Sequence, residues 1–312
     1  MRAISIFLLS CCLSHTLWAK TPVGSDIAFD KNSANLLFAD EQTFDFHGKI
    51  DVNRSSMAGG GMAYPADTAG VFFAAILTHA AIAGSAKKAK LNAAQKAADE
   101  VLVNYQPHIE KINTASMQFN QLKLAPDHTF NVNFTPDTDP ASQWSVRTKP
   151  VFFLTQSQQT LILYHQLMFY DLALVTDKKS RKVKKTSKRK KKGPDPRERL
   201  IVIVSDPLGE GEASQLWLDE EGKYFQETVR KLYQESVQIG FQHYHGHMTP
   251  AASNQMTIRY LEDGKKKIER GQVIKKSCRR TLFLTLAGEI KLVPNMEFAS
   301  CAAEEADLLA VN

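Results

Sequence analysis

The sequence predicts an α+β fold, a mostly antiparallel sheet packed with two long helices over 67–106 and 214–240. Three observations predict it. Segments with a two-residue apolar period dominate after residue 113, two stretches of helical period stand apart from one another, and no segment repeats at the spacing of a solenoid or a propeller.

Residues 20–66 are rich in Asp, Asn, Ser and Gly and read as an irregular N-terminal segment, with alternation in 43–52 marking one or two short strands. Gly59-Gly60-Gly61 precedes the first helix, which Asp67 or Thr68 caps after Pro65. The first part of that helix, 69–86, is apolar nearly all round and demands burial. Its eighteen residues sit at the lower limit of a membrane span, with His79 in the middle, so burial against the sheet is expected instead. The second part aligns Leu91, Ala94, Ala98, Leu102 and Tyr105 on one stripe until Pro107 ends it.

Strands are expected next at 117–124, 130–134, 151–154, 160–171 and 200–204, with Pro126-Asp127 and Pro136-Asp137 as turns. The second helix turns Leu218, Phe225, Val229, Leu232 and Ile239 inward, pairs Glu227 with Lys231 and ends at Gly240. Strands at 256–261, 273–274, 282–286 and 290–293, with turns at Glu262-Asp263-Gly264 and Ala287-Gly288, complete a globular region over 67–312.

The first nineteen residues have the layout of a secretory signal: Met1-Arg2, an apolar run from Ala3 to Leu13, and a small residue at Ala19. Cleavage there gives a periplasmic or extracellular protein of about 290 residues. Leu8-Leu9-Ser10-Cys11 has the residue types of a bacterial lipoprotein cleavage box, and an anchor on Cys11 is the alternative. Cys278 and Cys301 are the two cysteines that survive the cut at Ala19, and an even pair in an oxidising compartment reads as a disulfide.

The formal charge of +6 is local rather than global. Lys178, Lys179, Arg181, Lys182, Lys184, Lys185, Lys188, Arg189, Lys190, Lys191 and Lys192 supply eleven cations, and setting them aside leaves the rest of the chain at −5. They lie in a basic loop over 177–197 that interrupts the globular region and reads as disordered, its like charges keeping it extended. Such a tract suits a polyanion or an anionic membrane surface. It has no aromatic residue on which a base could stack, so it is not a specific nucleic-acid site.

His243, His245 and His247 form the sharpest constellation, since in an extended strand positions i, i+2 and i+4 share one face and could converge on a transition metal. Gly246 and Met248-Thr249-Pro250 read instead as a loop, and Glu220, Glu221 or His165 would have to arrive through the fold as further ligands. Gly209-Glu210-Gly211 after the strand at 200–204 matches a nucleotide-binding turn only in part, and Glu210 and Glu212 would repel phosphate there. The chain has no Gly-x-Ser-x-Gly elbow, His-Glu-x-x-His helix or Walker loop. The reading that follows is an exported envelope protein that binds or assembles, without a cofactor, its partner being an envelope protein or an anionic surface. A metal-dependent protein centred on the three histidines and a hydrolase with a site assembled from scattered residues are the alternatives.

Overall fold

The computed structural model describes residues 30–38, 44–50, 85–125, 128–134, 142–171, 198–209, 211–248, 250, 255–297 and 300–301. The expected signal segment, Cys11, the apolar stretch 69–84 and the basic loop lie outside them. No helix among the described residues is long and apolar enough to cross a membrane.

Eleven strands form one mixed sheet: β1 Asp30–Phe38, β2 Asp45–Gly48, β3 Gln121–Ala125, β4 His128–Phe134, β5 Ser142–Leu154, β6 Leu161–Asp171, β7 Glu198–Val204, β8 Met256–Glu262, β9 Lys265–Lys276, β10 Arg280–Thr285 and β11 Ile290–Pro294. Their order across the sheet is β3-β4-β1-β5-β6-β7-β11-β10-β9-β8, with β2 also on β5. The hairpin pairings are antiparallel as expected, but β1 runs parallel to both β4 and β5, β2 is parallel to β5, and β11 is parallel to β7. The sheet is therefore mixed at its centre.

The strand β1 has no counterpart in the sequence expectations, because its polar residues hide the two-residue period. Ser33 and Asn35 are buried, and their polar atoms meet one neighbour, the Ser142 hydroxyl, at 3.2 Å each. A buried hydroxyl or amide is tolerated only when it is bonded in this way. β1 and β2 lie end to end along thirteen-residue β5, so the N-terminal segment occupies the middle of the sheet.

The central strands are apolar on both faces, which explains their unbroken runs. In β6, Leu161, Leu163, Leu167 and Phe169 face one core, while Ile162 and Tyr164 face another. Helix α3, Ala213–Tyr244, covers the first face with Phe225, Val229, Leu232, Tyr233, Val237 and Phe241. The second face is covered by the chain itself: the β8–β9 hairpin folds back so that Ile258 and Tyr260 pack with Phe153, Val202, Val204 and Phe283.

Only one of the two expected helices is long among the described residues. Helix α1 is Ser85–Asp99, after which the chain tightens to a 3-10 turn over Glu100–Tyr105 and a four-residue helix α2, Gln106–Ile109. Pro107 sits in the first turn of α2 rather than stopping a helix, since a proline lacks an N–H that the first turn does not use. Ala98, Leu102 and Tyr105 are buried as the stripe predicts, whereas Ala94 is exposed.

Helix α3 runs past Gly240, which is no terminus. A Cβ there would overlap the Leu167 side chain and come to 3.1 Å from Ile201 Cδ1, so the glycine lets the helix lie close on the sheet. The helix is interrupted at its other end, where Asp219 is extended and Glu220, Glu221 and Gly222 all have positive φ. Lys231 reaches Glu235 at 4.0 Å rather than the expected Glu227. On the outer edge of the sheet, Gln242 and Gln238 donate to the Lys123 carbonyl at 2.9 and 3.2 Å, which blocks part of strand β3 from further pairing.

Candidate functional site

Three polar constellations stand out against this apolar frame. The first is a hydrogen-bonded chain between sheet and helix. Strand β6 turns His165 toward α3, where its Nδ1 lies 2.5 Å from Ser236 Oγ and its Nε2 meets the Thr148 hydroxyl of β5. Ser236 in turn donates to the Tyr233 carbonyl at 2.6 Å. With the serine hydroxyl directed to that carbonyl, Ser236 Oγ is left to accept from His165 Nδ1–H, the tautomer in which Nε2 accepts from Thr148.

A general base would need the reverse polarity, with the imidazole accepting the serine proton. His165 and Ser236 are also fully buried, and burial lowers the His165 pKa to about 3, leaving the ring neutral. Tyr233 stacks on this ring with centroids 5.1 Å apart, its phenol pKa raised by burial. The chain locks the helix to the sheet.

The second constellation lies beneath the folded-back hairpin. Lys291 of β11 donates to both oxygens of Glu269 at 3.0 and 3.1 Å and lies 3.5 Å from Glu289. Lys49 donates to Glu262 at 2.5 Å, and Tyr260 donates to Glu269 at 3.3 Å. Desolvation, reinforced by Glu262, Glu289 and Glu269, holds the Tyr164 phenol well above its usual range. Lys291 is shared between two carboxylates and Lys267 adds a second cation 3.7 Å from Glu262, so the cluster fastens β8 and β9 over the sheet. At the tip, Ser157 donates to Asp263 and the Asp263 N–H donates to Thr160 Oγ1 at 3.2 Å. Gly264 has a φ of +65°, as the two-residue turn requires, and a side chain there would meet Gln159 Oε1 at 2.5 Å.

The third is the neighbourhood of the expected metal ligands. His243 is in the last turn of α3 and His245 and His247 lie just beyond it, so the one-face geometry of a strand does not arise. His243 Nδ1 accepts from Arg199 Nε at 3.2 Å, and desolvation followed by the Arg199 charge lowers its pKa. His245 packs among Phe130, Trp144 and Phe241, and His247 is exposed. Glu220 and Glu221 stand in the positive-φ turn at the other end of the helix, close to Lys223 and Lys111. Among the described residues, no three His, Cys, Asp or Glu side chains gather as a metal site.

A surface cleft of about 430 Å³ lies beside that turn, lined in part by Lys111, Glu220, Glu221, Lys223, Glu227 and Arg230. Its three cations and three carboxylates balance, and the buried Ile112 and Met117 complete part of its lining. Cys278 and Cys301 lie at disulfide distance, with Cα atoms 5.8 Å apart, as the cysteine count predicts. Asn295 reinforces the same corner by donating to the Ser277 and Cys278 carbonyls at 2.8 and 2.7 Å.

The cations of 178–192 fall between β6 and β7, which pair antiparallel from Ile162↔Val204 to Met168↔Glu198. The basic stretch is thus an insertion bracketed by two adjacent central strands. Arg199, the second residue of β7, donates to His243 and lies 5.9 Å from the centre of the Tyr244 ring. Sequence reasoning missed the internal Lys–Glu pairs. The alternation of 256–276 sets Glu262 and Glu269 on the face of Ile258 and Tyr260, but the lysines that meet them come from outside this stretch. Comparison with protein families, curated proteins and solved structures finds no match for this chain.

Proposed function

We propose that this chain is an exported, non-catalytic binding factor of the cell envelope that holds an anionic partner through the cations of 178–192. The observation that carries the reading is the bracketing of that tract by β6 and β7, neighbours in the middle of a sheet buried on both faces. Eleven cations are concentrated at one place on a scaffold whose remaining charge is −5, so attraction for an anion is local. The polarity of the Thr148–His165–Ser236 chain supports a role without catalysis, and the Cys278–Cys301 pair suits an oxidising destination.

The test replaces the eleven Lys and Arg of 178–192 by Ser in the full chain and measures binding of polyphosphate by the intact and altered proteins at low salt. Binding by the intact chain and its loss in the altered one is expected. Equal binding by both would remove the tract from the function. The mass of the mature N-terminus tests the export reading: Lys20 free supports a released protein, and an acylated Cys11 would replace it with an anchored one.

A further inference from the structure

The β8–β9 hairpin sorts its side chains by charge. Residues 256–276 hold seven Lys and Arg against three Asp and Glu. Two of those carboxylates, Glu262 and Glu269, turn inward with Ile258 and Tyr260 and are met there by Lys49, just past β2, and by Lys291 of β11. The third, Asp263, is taken up at the turn by Ser157 and Lys265. Alternation then leaves the opposite face without an acid.

The register defines that outer face. Thr257 lies across from Arg270, Arg259 from Ile268 and Leu261 from Lys266, so three cations interleave with two branched aliphatic side chains. All but Leu261 are exposed, and Ile268 stands 62% accessible. The hairpin behind this face is tied down at several points. Its tip is bonded to Ser157 and Thr160, its underside is fastened by the Lys–Glu pairs, and Tyr260 bridges to Asn295. Docking therefore needs little further ordering.

A soluble polyanion would satisfy the cations and gain nothing from an isoleucine set between them. An anionic bilayer uses both, because phosphate headgroups meet the guanidinium and ammonium groups while the aliphatic side chain enters the boundary below them. We propose that the outer face of β8–β9, centred on Arg259, Lys266, Ile268 and Arg270, rests on a membrane of anionic phospholipid. This surface is separate from the tract at 178–192, and the experiment keeps the two apart.

The full chain is sedimented with vesicles of phosphatidylglycerol and phosphatidylcholine, and with phosphatidylcholine alone. Arg259→Glu, Lys266→Glu and Arg270→Glu together should lower partitioning onto the anionic vesicles on the order of a hundredfold or more with the tract intact. The corresponding three Gln substitutions should give a smaller loss, and melting curves check that each protein stays folded. Ile268→Ser should cost several-fold on vesicles and leave polyphosphate binding unchanged. A chain with the tract cations replaced by Ser should retain vesicle binding that the three Glu substitutions still abolish. Binding that ignores the three substitutions, or that disappears with the tract alone, overturns the proposal while leaving the tract reading in place. An equal loss on polyphosphate and vesicles from Ile268→Ser would make the face a site for a soluble polyanion instead, and no binding to anionic vesicles would also overturn it.

Discussion

Lowering the pH from 7 to 5 should weaken this fold at His165, the fully buried one of the two described histidines with lowered pKa. In the folded protein its ring is buried between β6 and α3 and its pKa falls to about 3, whereas in the unfolded chain it titrates near its ordinary 6.5. Above pH 6.5 both states are neutral there and the residue exerts no pH-dependent effect. Between 6.5 and 3 the unfolded chain takes up a proton that the folded chain refuses, so stability falls by about 1.4 kcal/mol per pH unit. The loss reaches about 2 kcal/mol at pH 5 and levels off below pH 3, where the folded ring protonates too. Urea denaturation of the intact chain and of His165→Gln across this range isolates the effect, since contributions of the other titrating groups cancel in the difference. The variant should start lower by about 1–3 kcal/mol, because Thr148 and Ser236 lose a matched partner. Its pH dependence should be shallower by one proton. Equal slopes in the two proteins would refute the buried neutral histidine.

Three further outcomes follow from the packing. Lys291→Met should cost about 3–5 kcal/mol in chemical denaturation by stranding Glu269 and Glu289, and adding Glu269→Gln should recover part of it; strictly additive losses would contradict the pairing. Gly240→Ala should destabilise by about 1–3 kcal/mol because its methyl overlaps Leu167, the opposite of the gain expected at an exposed helical glycine. Reducing Cys278–Cys301, which closes a separation of 23 residues, should lower stability by about 3 kcal/mol, read as a fall in melting temperature on adding a thiol.

Much of this architecture is legible in the residues, and the exceptions share a cause. Strands β6, β7, β8, β10 and β11 and the tight turn at Asp263-Gly264 announce themselves through period and turn chemistry, because their burial is decided by neighbours in the chain. Strand β1 does not, since Ser33 and Asn35 are acceptable in the core only once Ser142, more than a hundred residues away, supplies their bonds. Gly240 carries the signature of a helix end, yet its lack of a side chain serves an approach to Leu167. The three histidines fail for a similar reason: their shared face depends on extended backbone, and the last turn of α3 claims His243 for the helix. The inward carboxylates of β8 and β9 look like surface charge until Lys49 and Lys291 are seen opposite them.

Partner choice by concentrated positive charge is the centre of this account, and salt dependence measures it most directly. Two duplex DNAs of unrelated sequence serve as generic polyanions for the full chain, with affinity followed by fluorescence anisotropy as salt is raised. If about six cations of 178–192 engage, both duplexes should bind equally and lose roughly a thousandfold in affinity between about 50 and about 200 mM salt. Affinity that is indifferent to salt, or a preference for one sequence over the other, would contradict the account.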